Sequence, residues 1–273
     1  MLRFRSESER LRGDPRQALV TAGLSRAAYA GVDPQWGLAT AGVRAAIAHQ
    51  VLGELDLAAE LAAAALRAAR LLGHPMLLAN ALQASGAIRA YEGHPEAALP
   101  LLQEALGAYT AAGCDQGEVA IQGSIGLMLK RLRRFPEAQV ALVAAQQAST
   151  ALGDRSMQAH WDSYLAEVLA AQGEYDAALA LAAAAVAVQQ ESGDRHAQAV
   201  ALTSLAVVTE QAHGPTDAVP ILEQAVRAFQ AAGMSSQAAL QRLVEVCRAT
   251  GDDAGVERHN AELARLGAVV THT

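Results

Sequence analysis

The chain has 273 residues, a net charge of −7 and a pI near 5.6. An acidic balance of that size argues against general nucleic-acid binding, which needs a basic footprint. Hydrophobic residues make up 52% and aromatics only 4%, because much of the apolar fraction is alanine, which suits thin layers of close-packed helices better than a thick globular core.

The chain opens on Met1-Leu2-Arg3-Phe4-Arg5 and turns charged between Glu7 and Arg12. It has no apolar core of the kind a signal peptide carries. The longest apolar run, Ala177 to Val188, is too short to cross a membrane. Cys114 and Cys247 are the two cysteines, and two thiols so far apart point to a reducing compartment rather than a disulfide framework. A cytoplasmic protein with no membrane partner is therefore expected.

Turn signals then recur along the chain. Gly13-Asp14-Pro15 precedes a helical stretch running to about Tyr29, and Gly31-Val32-Asp33-Pro34 ends it. From Gly53 the same turn returns every 40 residues, at Gly93, Arg133, Gly173 and His213. A second turn series falls at Gly73, Gly113, Gly153, Gly193 and Gly233, also 40 apart. Segments of roughly 17 residues lie between the turns and carry apolar residues at i, i+3, i+4 and i+7, the helical period. Glycine supplies the left-handed stop, proline at Pro15, Pro95, Pro136 and Pro215 starts the next helix, and Asp154 and Asp194 are expected N-caps. Pro100 and Pro220 lie deeper in two helices, each removing one backbone bond; either a slight kink follows or solvent-side carbonyls absorb the loss. The unit is helix A, turn, helix B, turn.

Three series of small residues run in register with these turns. Ala18, Ala58, Ala98, Ala138, Ala178 and Ala218 form one; Ala65, Ala105, Ala145, Ala185 and Ala225 a second; Ala46, Gly86, Gly126, Ala166 and Ala206 a third. A helix of this length is marginal alone, so each hairpin must stack on its neighbours, and small residues at the crossings let backbones approach closely. The expected architecture is an all-α right-handed solenoid of antiparallel helix pairs, continuous over 1–273. It has a partial unit at about 1–33, then pairs at 35–73, 75–113, 115–153, 155–193 and 195–233. A compressed pair at 235–267 closes the array. Residues 1–12 leave room for a stub of helix A. Glu257, Arg258, His259, Asn260, Glu262 and Arg265 give the last helix the polar outer face of a cap, and 268–273 reads as a frayed tail.

These positions resemble the tetratricopeptide repeat family, whose pattern sets a small residue at its eighth position and alanine at its twentieth and twenty-seventh, here Gly86, Ala98 and Ala105 and their counterparts. The period of 40, against the usual 34, is similar to the longer-period branch of that family. Leu82 and Leu202 stand where the family's tryptophan would be. The resemblance implies a ligand groove lined by the A helices. Carried over position by position, that face includes Asn80 and His160, Gln83, Tyr164, and Leu127 and Glu167. It lacks the lysine–asparagine set with which some members clamp a carboxylate. A mixed, partly apolar groove suits an extended peptide or an amphipathic helix.

The middle of the array is richest in candidates. Lys130, Arg131, Arg133 and Arg134 form its one dense basic run; it is either an anchor for an acidic peptide or carboxylate ligand, or a solvated basic turn. His160, Tyr164 and Glu167, at i, i+4 and i+7, share one face. Trp36 and Trp161 are expected to pack. There is no phosphate loop, dinucleotide fingerprint or His-Glu-x-x-His, and the histidines are scattered, so no catalytic residue, cofactor or metal is expected. The leading expectation is a non-enzymatic scaffold holding a protein or peptide segment, without direct nucleic-acid binding. The alternative is a ligand-sensing helical module of the kind that larger bacterial transcription and signalling regulators contain.

Overall fold

The computed structural model describes residues 15–31 and 33–270. Thirteen α-helices occur among them: α1 Pro15–Tyr29, α2 Pro34–Val51, α3 Leu55–Leu72, α4 Pro75–Tyr91, α5 Pro95–Ala112, α6 Asp115–Arg131, α7 Phe135–Ala151, α8 Arg155–Ala171, α9 Tyr175–Ser192, α10 Arg195–His213, α11 Pro215–Ala231, α12 Gln237–Thr250 and α13 Asp253–Val270. No strand occurs among the described residues. The fold is an all-α array of stacked helix hairpins. Its packing divides into two compact units, with the boundary between Leu132 and Arg133.

In the first unit each helix from α1 to α6 packs on the next, and α2 also touches α4. In the second the same holds from α7 to α13, with α8 touching α10. A helices therefore form one layer of each unit and B helices the other. Ala46, Ala58, Ala62 and Ile88 make one buried cluster in the first unit. Ala166, Ala178, Ala182 and Val208 make another in the second. These are the same four positions shifted by three periods, so one packing solution is reused along the chain. Ala58, Ala98, Ala138, Ala178 and Ala218 have no exposed surface at all; contact this close leaves no room for a β-branch.

The helix ends follow the expected chemistry. Glycine takes a left-handed conformation at the breaks, as at Gly73 (φ 65°) and Gly193 (φ 71°). Asp154 Oδ1 accepts the Met157 amide at 2.9 Å, and Asp194 Oδ1 accepts those of His196 and Ala197, both at 3.0 Å. Asp33 caps α2 in the same way through Trp36. Pro100 and Pro220 sit inside helices that run on through them.

Three expectations need correcting or setting aside. Ala18, the first member of its series, is exposed; the stub of helix A expected at residues 1–12 lies outside the described residues. The last helix continues to Val270, so the tail expected at 268–273 is helical to that point, and 271–273 lie outside the described residues. His259, placed on the outer face by its polarity, is buried at 5% exposure. It lies three residues after Val256 and four before Leu263, and so falls on the inner stripe of α13.

Candidate functional site

In the first unit, Asn80 and Gln83 lie one turn apart on α4, both half-buried. The Tyr109 hydroxyl on α5 lies 2.8 Å from Asn80 Oδ1 and 2.5 Å from Gln83 Oε1. One hydroxyl has one proton, so it donates to one amide, while the other, turned about, can donate to its oxygen. Tyr109 is 4% exposed and its ring lies against Gly117 of α6. Asn80 and Gln83 are thus oriented from behind by a buried tyrosine, a link that helical periodicity alone does not reveal.

Leu127 and Lys130 on α6 are half-buried, and Arg131 is exposed. Arg131 Nη1 donates to the Ala90 carbonyl at 3.0 Å, in the last turn of α4. A cation at that end meets the negative pole of the helix and adds a second donor to a carbonyl that already accepts the Gly93 amide at 3.3 Å. One nitrogen of this arginine therefore ties α6 to α4.

The other two arginines of the basic run belong to the second unit. Arg133 has φ 58°, the single positive value on a non-glycine among the described residues. Its guanidinium lies 5.5 Å from the Phe135 ring centre. Arg134 forms a two-pronged pair with Glu137, Nε to Oε1 at 2.7 Å and Nη2 to Oε2 at 2.5 Å, and this bond lowers the Glu137 carboxyl. Both side chains are exposed, and such surface pairs add little stability. Arg131, Arg133 and Arg134 all have local partners, which favours the reading of a structural turn over that of a basic anchor.

On α8 the structure brings His160 and Tyr164 into contact, ring centres 5.1 Å apart and edge to face. Trp161 joins them, 4.6 Å from His160 and 6.4 Å from Tyr164. It is 5% exposed, and its indole N–H has no acceptor. Burial drives the His160 imidazole down to about 4, with His196 adding repulsion and Asp194 opposing it. The ring is therefore neutral near pH 7. Glu167, one turn beyond Tyr164, accepts a 2.6 Å bond from Ser204 Oγ of α10.

Sequence reasoning passed over Asp162. It is 8% exposed, and Gln146 Nε2 of α7 donates to its Oδ1 at 2.6 Å. Burial raises its carboxyl, the Gln146 bond opposing. A signal was available: the same repeat position holds Gly42, Leu82, Gln122 and Leu202, so a carboxylate there is out of place. Farther along, the Arg242 guanidinium of α12 lies between Glu210 of α10, at 2.7 Å, and Glu245, at 2.9 Å. Among the described residues no three metal-ligating side chains come together, and no helix is long and apolar enough to cross a membrane. Both cysteines are free.

Residues 157–231 match the family model described as Tetratricopeptide repeat. Comparison with curated proteins found no match. Among solved structures, the apo form of RapI aligns with TM-score 0.75 and 13% identity over 97% of this chain and 96% of that one. A Rap protein complexed with Competence and Sporulation Factor aligns with TM-score 0.76 and 14% identity over 97% and 73%. PH0952 from Pyrococcus horikoshii, a STAND-type signal transduction ATPase with a tetratricopeptide repeat sensor, aligns with TM-score 0.66 and 15% identity over 96% of this chain but 42% of its own. At these identities the likeness is one of fold. The chain has the fold of tetratricopeptide-repeat proteins and resembles that family, whose model it matches over residues 157–231.

Proposed function

We propose that the chain is a non-enzymatic interaction scaffold that holds a peptide or helical segment of a partner against its A helices. The observation that carries this reading is the face of α8, where His160, Tyr164 and Glu167 are arrayed over two turns beside a buried tryptophan. Half-buried aromatic and polar side chains on a rigid helix suit recognition. The fold supports it, since one structural neighbour is described as complexed with a factor. In the first unit Asn80 and Gln83 present amides suited to the backbone of an extended segment. Unpaired cysteines agree with a cytoplasmic setting. The test is co-purification of partners by the full chain, wild type against Tyr164→Ala and Asn80→Ala. At least one partner should be lost with each variant; recovery of the same set by all three proteins would overturn the reading.

A second reading is a ligand-sensing part of a larger regulator. It is favoured by the neighbour described as a signal transduction ATPase with a tetratricopeptide repeat sensor, which this chain covers over 42%. Thermal shift against small metabolites separates the two, because a ligand that binds the folded state raises its melting temperature.

A further inference from the structure

The repeat itself marks α8 as the place where the array departs from its own pattern. At the position of Glu167 the other A helices carry Ile47, Ala87, Leu127 and Val207, four apolar residues against one carboxylate. At the position of Trp161 they carry alanine or isoleucine. Packing between helices needs neither change, since four other copies do without them.

The net charge of the chain lies in the same unit as α8. Residues 1–132 hold twelve basic and twelve acidic side chains, whereas 133–273 hold nine and sixteen, so the whole net charge of −7 sits in the second unit. On its A helices Glu210 and Glu245 share one bridging arginine, Arg242, while Glu167 takes a hydrogen bond from the neutral Ser204. The fields of such charges add over the surface and draw in the opposite sign. Beside Glu167, Tyr164 is fixed by its edge-to-face contact with His160, and its aromatic face and the carboxylate stand one turn apart. An aromatic face next to a carboxylate is a seat for a cation, which gains ring attraction and a charge-assisted hydrogen bond together. The Trp161 indole, in the same ring cluster, holds a buried N–H without an acceptor. It gains one only when a water or a guest carbonyl reaches it.

We propose that the partner segment is basic, and that the face of α8 seats one of its arginine or lysine side chains on Tyr164 and Glu167. This rests on the scaffold reading above and names the chemistry of the same face. It reverses the expectation drawn from Lys130, Arg131, Arg133 and Arg134 of an acidic ligand.

The test is selection of random 12-residue peptides displayed on phage against the full chain, followed by fluorescence anisotropy of those recovered. The selected peptides should be enriched in arginine and lysine. Their affinity should fall about tenfold or more with Glu167→Gln, and as much with Tyr164→Ala. It should also weaken severalfold as salt rises. Glu167→Gln keeps an oxygen for Ser204, so circular dichroism and melting should match wild type. An acidic or uncharged consensus that still needs Tyr164 would overturn the basic-partner proposal and leave the scaffold standing. Peptides indifferent to Tyr164, Glu167, Asn80 and Gln83, or no enrichment at all, would overturn both.

Discussion

The ring of Tyr109 lies so close over Gly117 that a β-carbon there would stand 2.3 Å from its Cδ1. Two periods earlier, Tyr29 and Gly37 hold the same repeat positions, a β-carbon on Gly37 falling 2.8 Å from Tyr29 Cβ, with the Tyr29 side chain itself exposed. The intervening copy holds Ala69 and Leu77, both buried. In each pair the second residue follows the first by eight. A bulky residue on the B helix goes with glycine on the next A helix, and a small one with leucine, which conserves the volume of a close-packed site.

This exchange predicts a coupling that denaturant unfolding can measure. Gly117→Ala should destabilise by about 1–3 kcal/mol through overpacking, and Tyr109→Ala by about 3–5 kcal/mol through the cavity it leaves. The double variant Tyr109→Ala/Gly117→Leu, which copies Ala69 and Leu77, should cost clearly less than Tyr109→Ala combined with the overpacking of Gly117→Leu alone. Strict additivity would refute the volume exchange.

The small series make a second, contrasting prediction. Ala98 and Ala178 have no exposed surface, so leucine at either has nowhere to go and should destabilise by about 1–3 kcal/mol or more. Ala18 holds the same place in its repeat but is exposed, so Ala18→Leu should change stability by no more than about 0.5 kcal/mol. Equal losses at all three would mean that repeat position, and not contact, sets the cost.

What the sequence made legible and what it hid divide on physical grounds. Period and residue size report which face of a helix is inward, and so the turns at Gly73 and Gly193, the caps at Asp154 and Asp194, and the buried alanines could all be read in advance. Partners across helices depend on the axial register of neighbours, which no single-helix pattern encodes. Hence the hold of Tyr109 on Asn80 and Gln83, the bond from Arg131 to the Ala90 carbonyl, and the Asp162–Gln146 pair belong to the packed fold and leave no mark on any one helix. His259 erred the other way: polarity placed it outside, whereas its spacing from Val256 and Leu263 was the better guide.

His160 makes stability depend on pH in a defined direction. Its folded value is about 4, below the ordinary 6.5, so between those values the unfolded chain binds more protons than the folded one. Stability therefore rises with pH across that window and is lost as pH falls from about 6.5 towards 4, by an amount on the order of 2–3 kcal/mol. Urea titrations at pH 7 and pH 4.5 should show a smaller difference between the two for His160→Gln than for wild type. Asp162, whose carboxyl is raised by burial, contributes a slope of opposite sign upward from its ordinary 3.8 and is common to both proteins. An unchanged difference in the variant would place the acid sensitivity elsewhere.

Arg133 occupies the turn position that Gly53, Gly93 and Gly173 hold in other repeats, and it adopts their left-handed backbone at φ 58°. For a residue with a β-carbon this conformation costs about 1–2 kcal/mol. The contact of its guanidinium with Phe135 returns about 0.5–1 kcal/mol at an exposed site. Arg133→Gly removes both effects, and the balance is a small gain. Arg133→Ala keeps the strain and loses the ring contact, so it is the less stable variant. Melting temperatures should rank glycine at or above arginine and arginine above alanine. Alanine at or above arginine would show that the ring contact contributes nothing, and arginine well above glycine would show that the turn is not strained.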